Sequence, residues 1–192
     1  MAMSQSITNK SILNKSIMIR HGSGIKNWDD MDYSELIRLI RQEKDLELDL
    51  ACLKSINFDI LRNLEPELVI CSPMTRTLET AKFIAKELGL EYQIDNSLQE
   101  IHFEDLPKSK YENGPKQMID YLFEKSLLHK NTFDCKKVQG NVIIVTHSFL
   151  MRLIYADLFN VDVSTLKDDL RFKTYLAGFA LGDGKGVFLR KK

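Results

Sequence analysis

Short apolar runs alternate along the chain with longer stretches in which apolar residues recur every three or four positions. The short runs predict four strands, over Ser16–Arg20, Glu67–Cys71, Glu91–Asp95 and Asn141–Thr146. Val and Ile fill the strongest runs almost continuously, which is typical of strands covered on both faces. Strands that alternate with helical stretches indicate an α/β fold with a mostly parallel sheet.

The longer stretches predict five helices and a terminal hairpin. The first two helices are marked by Leu36, Leu39 and Ile40 and by Leu53, Ile56, Ile60 and Leu61. The third begins near Arg76 and runs through Ala81–Leu88 to Gly89, and the last two are marked by Met118, Leu122 and Phe123 and by Phe149–Phe159. Asp32 with Glu35 three residues later is a capping-box pattern for the first helix, and Gly89 suits the end of the third. The tail, from about 175 to 189, turns at G-D-G-K-G and predicts the hairpin.

Composition limits the class of protein. Lys plus Arg and Asp plus Glu both total 27, so no global field favours a nucleic acid or an anionic membrane. The three cysteines lack C-x-x-C spacing, which indicates reduced thiols and a cytoplasmic location. No stretch is apolar enough to span a membrane, and no leader pattern opens the chain. We expect residues 1–14 to be loosely ordered and residues 15–192 to form one domain.

Three predicted strands run directly into polar clusters. The clusters are Arg20-His21-Gly22, Ser72–Thr77 (S-P-M-T-R-T) and Thr146-His147-Ser148. In an open α/β sheet, ligands bind outside the carboxyl ends of the strands, so we expect these clusters to meet in one pocket. Basic side chains at the edge of a core are costly unless an anion lies against them. The pattern therefore predicts a site for an anionic group.

The ordered set of motifs resembles the histidine phosphatase superfamily, also called the phosphoglycerate mutase-like family. The matching blocks are R-H-G at Arg20–Gly22, S-P-M-T-R-T-L-E-T-A at Ser72–Ala81, L-Q-E-I-H-F at Leu98–Phe103 and V-T-H-S at Val145–Ser148. The resemblance implies a three-layer αβα fold with helices on both faces of the sheet. It also implies phosphoryl chemistry through a phosphohistidine, without a cofactor or a metal ion.

The resemblance assigns roles that chemistry supports. A neutral imidazole nitrogen can attack phosphorus, which makes His21 the nucleophile. Arg20 and Arg76 carry planar forks that bind phosphoryl oxygens, and an anion there would relieve the conflict of a cation at the start of a helix. His147 is expected to donate a hydrogen bond to the phosphoryl group. Gly22 is expected to let the backbone pass close to the phosphate.

Glu100, in L-Q-E-I-H-F, is the candidate general acid. It would protonate the leaving alkoxide and then, as a carboxylate, accept a proton from the attacking water. Glu104 and Asp105 lie close by in the sequence as alternative acids. His102 and His129 receive no chemical role.

Several positions depart from the family pattern. Ser148 stands where glycine is usual, which narrows the pocket or adds a hydroxyl to the phosphate site, and Ser23 stands where glutamate is frequent. Asn27 matches a substrate-contacting asparagine of the mutase branch, but its flanking residues do not resemble that branch. We therefore predict for Asn27 only a contact with the phosphate. The L-T-x-x-G block is missing, so the family gives no substrate for this chain.

The chain predicts a phosphomonoesterase acting on a small phosphorylated metabolite or a phosphoprotein. The long insertion that excludes water in cofactor-dependent mutases has no counterpart, since only residues 104–140 separate the acid block from the fourth strand. Lys108, Lys110 and Lys116 in this segment are candidates for contact with a second anionic group. The alternatives are a mutase, a phosphohistidine-protein phosphatase, or a non-catalytic module that binds a phosphorylated ligand. The sequence gives no oligomeric state.

Overall fold

A single mixed sheet forms the centre of the molecule. The computed structural model describes residues 15–26, 31–104, 106–112 and 114–190. The strands are β1 (Ile17–Arg20), β2 (Leu68–Cys71), β3 (Tyr92–Ile94), β4 (Val142–Thr146), β5 (Ala177–Ala180) and β6 (Gly186–Phe188). Their order is β3-β2-β4-β1-β5-β6, in which the first four strands are mutually parallel and the β1–β5 and β5–β6 pairings are antiparallel. The predicted α/β class, the four parallel strands and the terminal hairpin are confirmed.

Helices cover both faces of this sheet. They are α1 (Tyr33–Ile40), α2 (Leu50–Lys54), α3 (Phe58–Arg62), α4 (Thr75–Leu88), α5 (Pro115–Ser126), α6 (Ser148–Phe159) and α7 (Leu170–Lys173). Asp32 and Glu35 form the predicted capping box at the start of α1. Gly89, with φ of 70°, ends α4 in the left-handed conformation that favours glycine.

The prediction of one continuous second helix is wrong. The structure has two short helices, α2 and α3, and each has its own side-chain N-cap, Asp49 and Asn57. Between them Ile56 forms a bridge with Arg190, and the amide of Asn57 donates to the carbonyl of Leu189. The spacing of apolar residues fits one helix, but these contacts with the end of the chain divide it.

The strand residues alternate between two hydrophobic clusters. One cluster joins Ile17, Ile19, Val69 and Ile143 to side chains of α2, α3 and α4. The other joins Met18 and Ile144 to α6 and α7. Because successive side chains of a strand point to opposite faces, this division gives the three-layer αβα arrangement that was predicted.

A third hydrophobic cluster lies outside the two faces of the sheet and was not predicted. It joins α1, α5 and the start of α6 to the segment from Ile101 to Leu106. The hydroxyl of Tyr33 donates to the carbonyl of Leu106 at 2.8 Å, which ties α1 to that segment. These elements form one wall of the cavity described below.

The described residues contain no helix with the length and apolar character needed to cross a bilayer. Cys52, Cys71 and Cys135 are buried free thiols. Residues 1–14, which include the predicted loosely ordered segment, lie outside the described ranges, as do Asn27 and Asp105.

Candidate active site

The carboxyl ends of β1, β4 and β2 bring the predicted polar clusters together. His21 directly follows β1, His147 directly follows β4 and Ser72 directly follows β2. The amide of His21 donates to the carbonyl of Thr146 at 3.1 Å, which continues the β1–β4 pairing up to the site. The imidazole rings of His21 and His147 lie 5.3 Å apart between centroids.

The hydrogen bonds of His21 define its tautomer. Nδ1 lies 2.7 Å from the carbonyl oxygen of Gly22, so it carries the proton and donates it. Nε2 accepts a hydrogen bond from Nε of Arg76 at 3.1 Å, so it holds the lone pair. The lone pair of the imidazole therefore points toward the arginine that is expected to hold a phosphoryl group.

Arg76 lies in the first turn of α4 and is held by Asp45. The Asp45 carboxylate pairs with Nη1 of Arg76 and accepts from its backbone amide at 3.1 Å. The sequence predicted that a bound anion would lie at this helix start. In the structure the carboxylate of Asp45 lies there. Asp45 was missed because it lies 31 positions away in a segment without a motif.

Arg20 has one buried hydrogen-bond donor without a partner. Its Nη1 donates to the carbonyl of Lys173 at 2.7 Å, and its guanidinium carbon lies 3.9 Å above the ring of Tyr175. Its Nε is buried and has no hydrogen-bond partner in the described ranges of the chain. Tyr175, whose ring centroid lies 5.7 Å from that of His21, was not predicted as a site residue because it precedes β5 without any recognisable motif.

His147 is fully buried, and one of its ring nitrogens also lacks a hydrogen-bond partner among the described residues. Nε2 lies 2.9 Å from Oγ of Ser72, whose oxygen also accepts from the amide of Met74 at 3.4 Å. A hydroxyl can either donate to Nε2 or accept from it, and when Ser72 donates, the proton of the neutral ring lies on Nδ1. Nδ1 has no hydrogen-bond partner among the residues that the structure describes, so in this tautomer His147 has an unused donor beside His21.

Burial and charge keep both histidines neutral. Burial lowers the pKa of His21 well below its ordinary value, and the charges of Arg76 and Arg20 lower it further. The pKa of His147 is lowered in the same way, first by burial and then by the charge of Arg76. A neutral His21 is the form that can act as a nucleophile.

This arrangement predicts that folding weakens in acid. The unfolded histidines titrate near pH 6.5, so below that pH the unfolded chain binds more protons than the folded one until the lowered folded pKa values are reached. The free energy of unfolding therefore has its full value above about pH 6.5 and decreases as the pH falls below it. Each histidine contributes up to about 1.4 kcal/mol per pH unit. Denaturant unfolding of wild type and His147→Asn between about pH 8 and 5 measures how steeply the free energy of unfolding changes with pH. This slope should fall by roughly half in the variant, which keeps only one of the two buried histidines. Equal slopes for the two proteins would contradict the prediction.

The carboxyl group of Glu100 contacts the first turn of α6. Its Oε1 accepts from the amides of Leu150 at 3.0 Å and Ile101 at 3.1 Å, and its Oε2 accepts from the amide of Phe149 at 3.2 Å. Burial raises the pKa of Glu100, although these amides and the charge of Arg76 favour the ionised form. A buried carboxyl with a raised pKa is suited to hold a proton that it later releases.

The remaining predicted residues have other surroundings. The amide of Gly22 donates to Oγ1 of Thr80 at 3.0 Å, and an added Cβ would lie 2.8 Å from the buried side chain of Leu53, so packing accounts for this glycine. Oγ of Ser148 accepts from Nη1 of Arg152 at 2.5 Å. Asn27 is not among the residues that the structure describes.

A cavity of about 330 Å³ opens onto these groups. Arg20, His21, Arg76, Glu100, Ser148 and Tyr175 line its polar end. Glu104 and the three lysines at 108, 110 and 116 are not among the described residues that line it, so the structure gives no support for their contact with substrate. Lys167 and Lys173 line it instead.

Solved structures share this fold. YhfR of Bacillus stearothermophilus is 16% identical, with a TM-score of 0.52 over 91% of this chain and 95% of its own. A mycobacterial glucosyl-3-phosphoglycerate phosphatase, in complex with VO3, is 16% identical, with a TM-score of 0.50 over 79% of this chain and 83% of its own. No curated protein matches the sequence.

A family profile makes the relationship specific. The profile of the "Histidine phosphatase superfamily (branch 1)" matches residues 17–124, which is more than half of the chain. The matched region contains the R-H-G block, Arg76 and Glu100. The protein therefore belongs to branch 1 of the histidine phosphatase superfamily, whose members hydrolyse or transfer phosphoryl groups.

Proposed function

We propose that the protein is a phosphomonoesterase that works through a phosphohistidine at His21 and without a metal ion. The observation that carries the proposal is a nucleophile flanked by donors with no partner. The lone pair of His21 Nε2 faces Arg76, and two buried nitrogens, Nε of Arg20 and Nδ1 of His147, have no hydrogen-bond partner within the described part of the chain. Buried donors are normally satisfied, and a phosphoryl group supplies oxygens for both.

The first step transfers the phosphoryl group to His21. When the substrate binds, Nε–H of Arg76 donates its hydrogen bond to a phosphoryl oxygen instead of to the imidazole. This exchange of acceptor frees the lone pair of His21 Nε2. Nε2 attacks phosphorus, the N–P bond forms, and the ester P–O bond breaks. Arg20, Arg76 and His147 offset the charge that spreads over the phosphoryl oxygens, while Glu100 gives its proton to the departing alkoxide.

The second step regenerates the enzyme. Water attacks the phosphorus of the phosphohistidine, and the ionised Glu100 takes one of its protons. The N–P bond breaks, its electron pair returns to Nε2, and inorganic phosphate leaves. Glu100 is then protonated and His21 neutral, as they were at the start.

Hydrolysis of a small substrate fits the structure better than the alternatives. The segment between Phe103 and β4 forms α5 and short turns, and this is too little chain for the long cover that excludes water in mutases. His21 is only 5% exposed, which favours a metabolite that can enter the cavity over a side chain on a folded phosphoprotein.

We also place the enzyme in the cytoplasm. Cys52, Cys71 and Cys135 are all free, and burial raises the pKa of Cys71 to about 11 and that of Cys135 to about 12. Inert, unpaired thiols suit a reducing compartment. Cell fractionation with the tagged protein tests this placement, and recovery outside the cytoplasmic fraction would contradict it.

Phosphate release from p-nitrophenyl phosphate and a set of phosphorylated metabolites tests the activity. Turnover should be the same with and without EDTA, because two arginines supply the positive charge that a metal would otherwise provide. In the described residues no group of three His, Cys, Asp or Glu side chains is placed to hold a metal ion. Orthovanadate, which mimics pentacoordinate phosphorus, should inhibit competitively.

Two results would count against the proposal. Activity lost in EDTA and restored by a divalent ion would replace it with a metal-dependent mechanism. Tight binding of phosphate with no turnover of any ester would indicate a module that binds phosphorylated ligands without catalysis.

A further inference from the structure

The cavity next to the phosphate site has a largely apolar wall. The apolar residues that line it are Leu39, Ile40, Leu46, Ile101, Phe103, Ile119, Leu122, Phe123 and Phe149. They come from α1, the segments around Leu46 and Ile101, α5 and the start of α6. Most belong to the third hydrophobic cluster, so the cavity extends from the reacting histidine into that cluster.

The polar residues beyond the phosphate site are already paired with one another. Lys167 lies 3.0 Å from Asp120, and Lys173 lies 2.8 Å from Asp168. These two pairs balance their own charges, so neither lysine requires a second anionic group on the ligand.

Gln42 and Arg152, which also line the cavity, are engaged within the protein as well. Nε2 of Gln42 donates to the carbonyl of Glu100 at 3.1 Å. The buried guanidinium of Arg152 donates to the carbonyls of Ser148, Leu166 and Lys167. A ligand rich in hydroxyl groups would meet few free partners here and would lose its hydration along the apolar wall.

We propose, on the basis of the phosphomonoesterase function, that the substrate is the phosphate ester of an apolar alcohol. The phosphoryl group lies against His21, Arg20 and Arg76, and the alkyl or aryl part lies along the wall formed by α1, α5 and Phe149. This chemistry differs from that of phosphoglycerates and sugar phosphates, whose carboxylate or hydroxyl groups this wall does not match. Burial of apolar surface then provides most of the discrimination between substrates.

Binding of n-alkylphosphonates from methyl to octyl, measured by calorimetry, tests this inference without requiring turnover. Each methylene that leaves water contributes about 0.8 kcal/mol, which corresponds to a roughly fourfold gain in affinity. Affinity should rise by about that factor per carbon until the cavity is filled. Affinity that does not change with chain length, or that is higher for phosphonates bearing hydroxyl groups than for alkyl ones, would overturn the proposal.

A kinetic series separates this inference from the proposed function. The longer n-alkyl phosphates have leaving groups of nearly equal basicity, so differences in kcat/KM among them report binding rather than chemistry. A rise of about fourfold per methylene is expected. Turnover of p-nitrophenyl phosphate with a flat alkyl series would overturn the apolar substrate alone, whereas rising phosphonate affinity without any turnover would support the apolar ligand and remove the esterase activity.

A pair of matched variants locates the effect. Ile119 lines the cavity from α5 and is only partly buried, so Ile119→Asn should fold and should weaken octylphosphonate binding by about fourfold or more. Methylphosphonate, which does not reach the wall, should lose much less. Leu128 lies just beyond α5 with 79% of its surface exposed, and Leu128→Asn should leave both affinities unchanged. Equal losses for the two ligands in Ile119→Asn would show that the alkyl chain lies elsewhere.

Discussion

His21→Ala should lower phosphate release by roughly 10⁴- to 10⁶-fold for every substrate, since loss of a covalent nucleophile removes the whole two-step route. No acid-labile phosphoenzyme should form when the variant is mixed with labelled substrate and denatured. The expectation follows from the neutral imidazole whose Nε2 lone pair faces Arg76. Quenched incorporation of label and steady-state release together measure it.

The control for this prediction is the same substitution at a histidine outside the site. His102 is exposed and does not line the cavity, so His102→Ala should retain activity and the phosphoenzyme. Persistence of a phosphoenzyme in His21→Ala would move the nucleophile elsewhere, with His147 as the next imidazole to replace.

Glu100→Gln should slow the first phosphoryl transfer by about 10²- to 10⁴-fold for an alkyl or sugar phosphate. The loss should be much smaller for p-nitrophenyl phosphate, because p-nitrophenolate leaves without a proton. Both substrates share one phosphoenzyme, whose hydrolysis could become limiting and hide the contrast. Single-turnover quench-flow that follows phosphoenzyme formation at His21 is therefore the right measurement.

Because the carboxyl group of Glu100 accepts from amides in the first turn of α6, the folding stability of the Glu100→Gln variant needs a control. A glutamine there keeps one acceptor but places an N–H₂ group against one or more of the three amides that donate to the Glu100 carboxyl group. An unsatisfied buried group of this kind costs about 1–3 kcal/mol, so unfolding of the variant must be measured alongside its kinetics. Equal slowing for both leaving groups in a folded variant would remove Glu100 from the acid role and direct attention to Glu104 and Asp105.

The strand ends were predictable from the sequence because two local signals coincide there. Apolar runs such as Ile17–Ile19 stop abruptly at charged or polar residues, and parallel strands bring such ends to one edge of the sheet. Arg20, His21, Arg76 and His147 therefore meet in the structure as the motif order indicated. Their chemical roles stay predictions until the variants are measured.

The partners of these residues could not be predicted in the same way. Asp45 reaches Arg76 from a segment without a motif, and Tyr175 reaches Arg20 from just before β5. Each contact depends on how distant segments pack, and neither residue type is unusual in its local sequence. The break between α2 and α3 has the same origin, because Asn57 contacts the carbonyl of Leu189 at the far end of the chain.

The place of β1 in the sheet has a consequence for how the chain folds. Ile17 pairs with Ile143 on one side and with Ala180 on the other, so both neighbours of the first strand come from the last third of the sequence. Contacts of such long range cost loop-closure entropy before they return any stabilisation, and proteins rich in them fold slowly. During synthesis the apolar strand stays without a partner until β4 has been made. His21 can approach His147 only once β1 has paired with β4. A chain in which this pairing has not formed therefore has no assembled phosphate site.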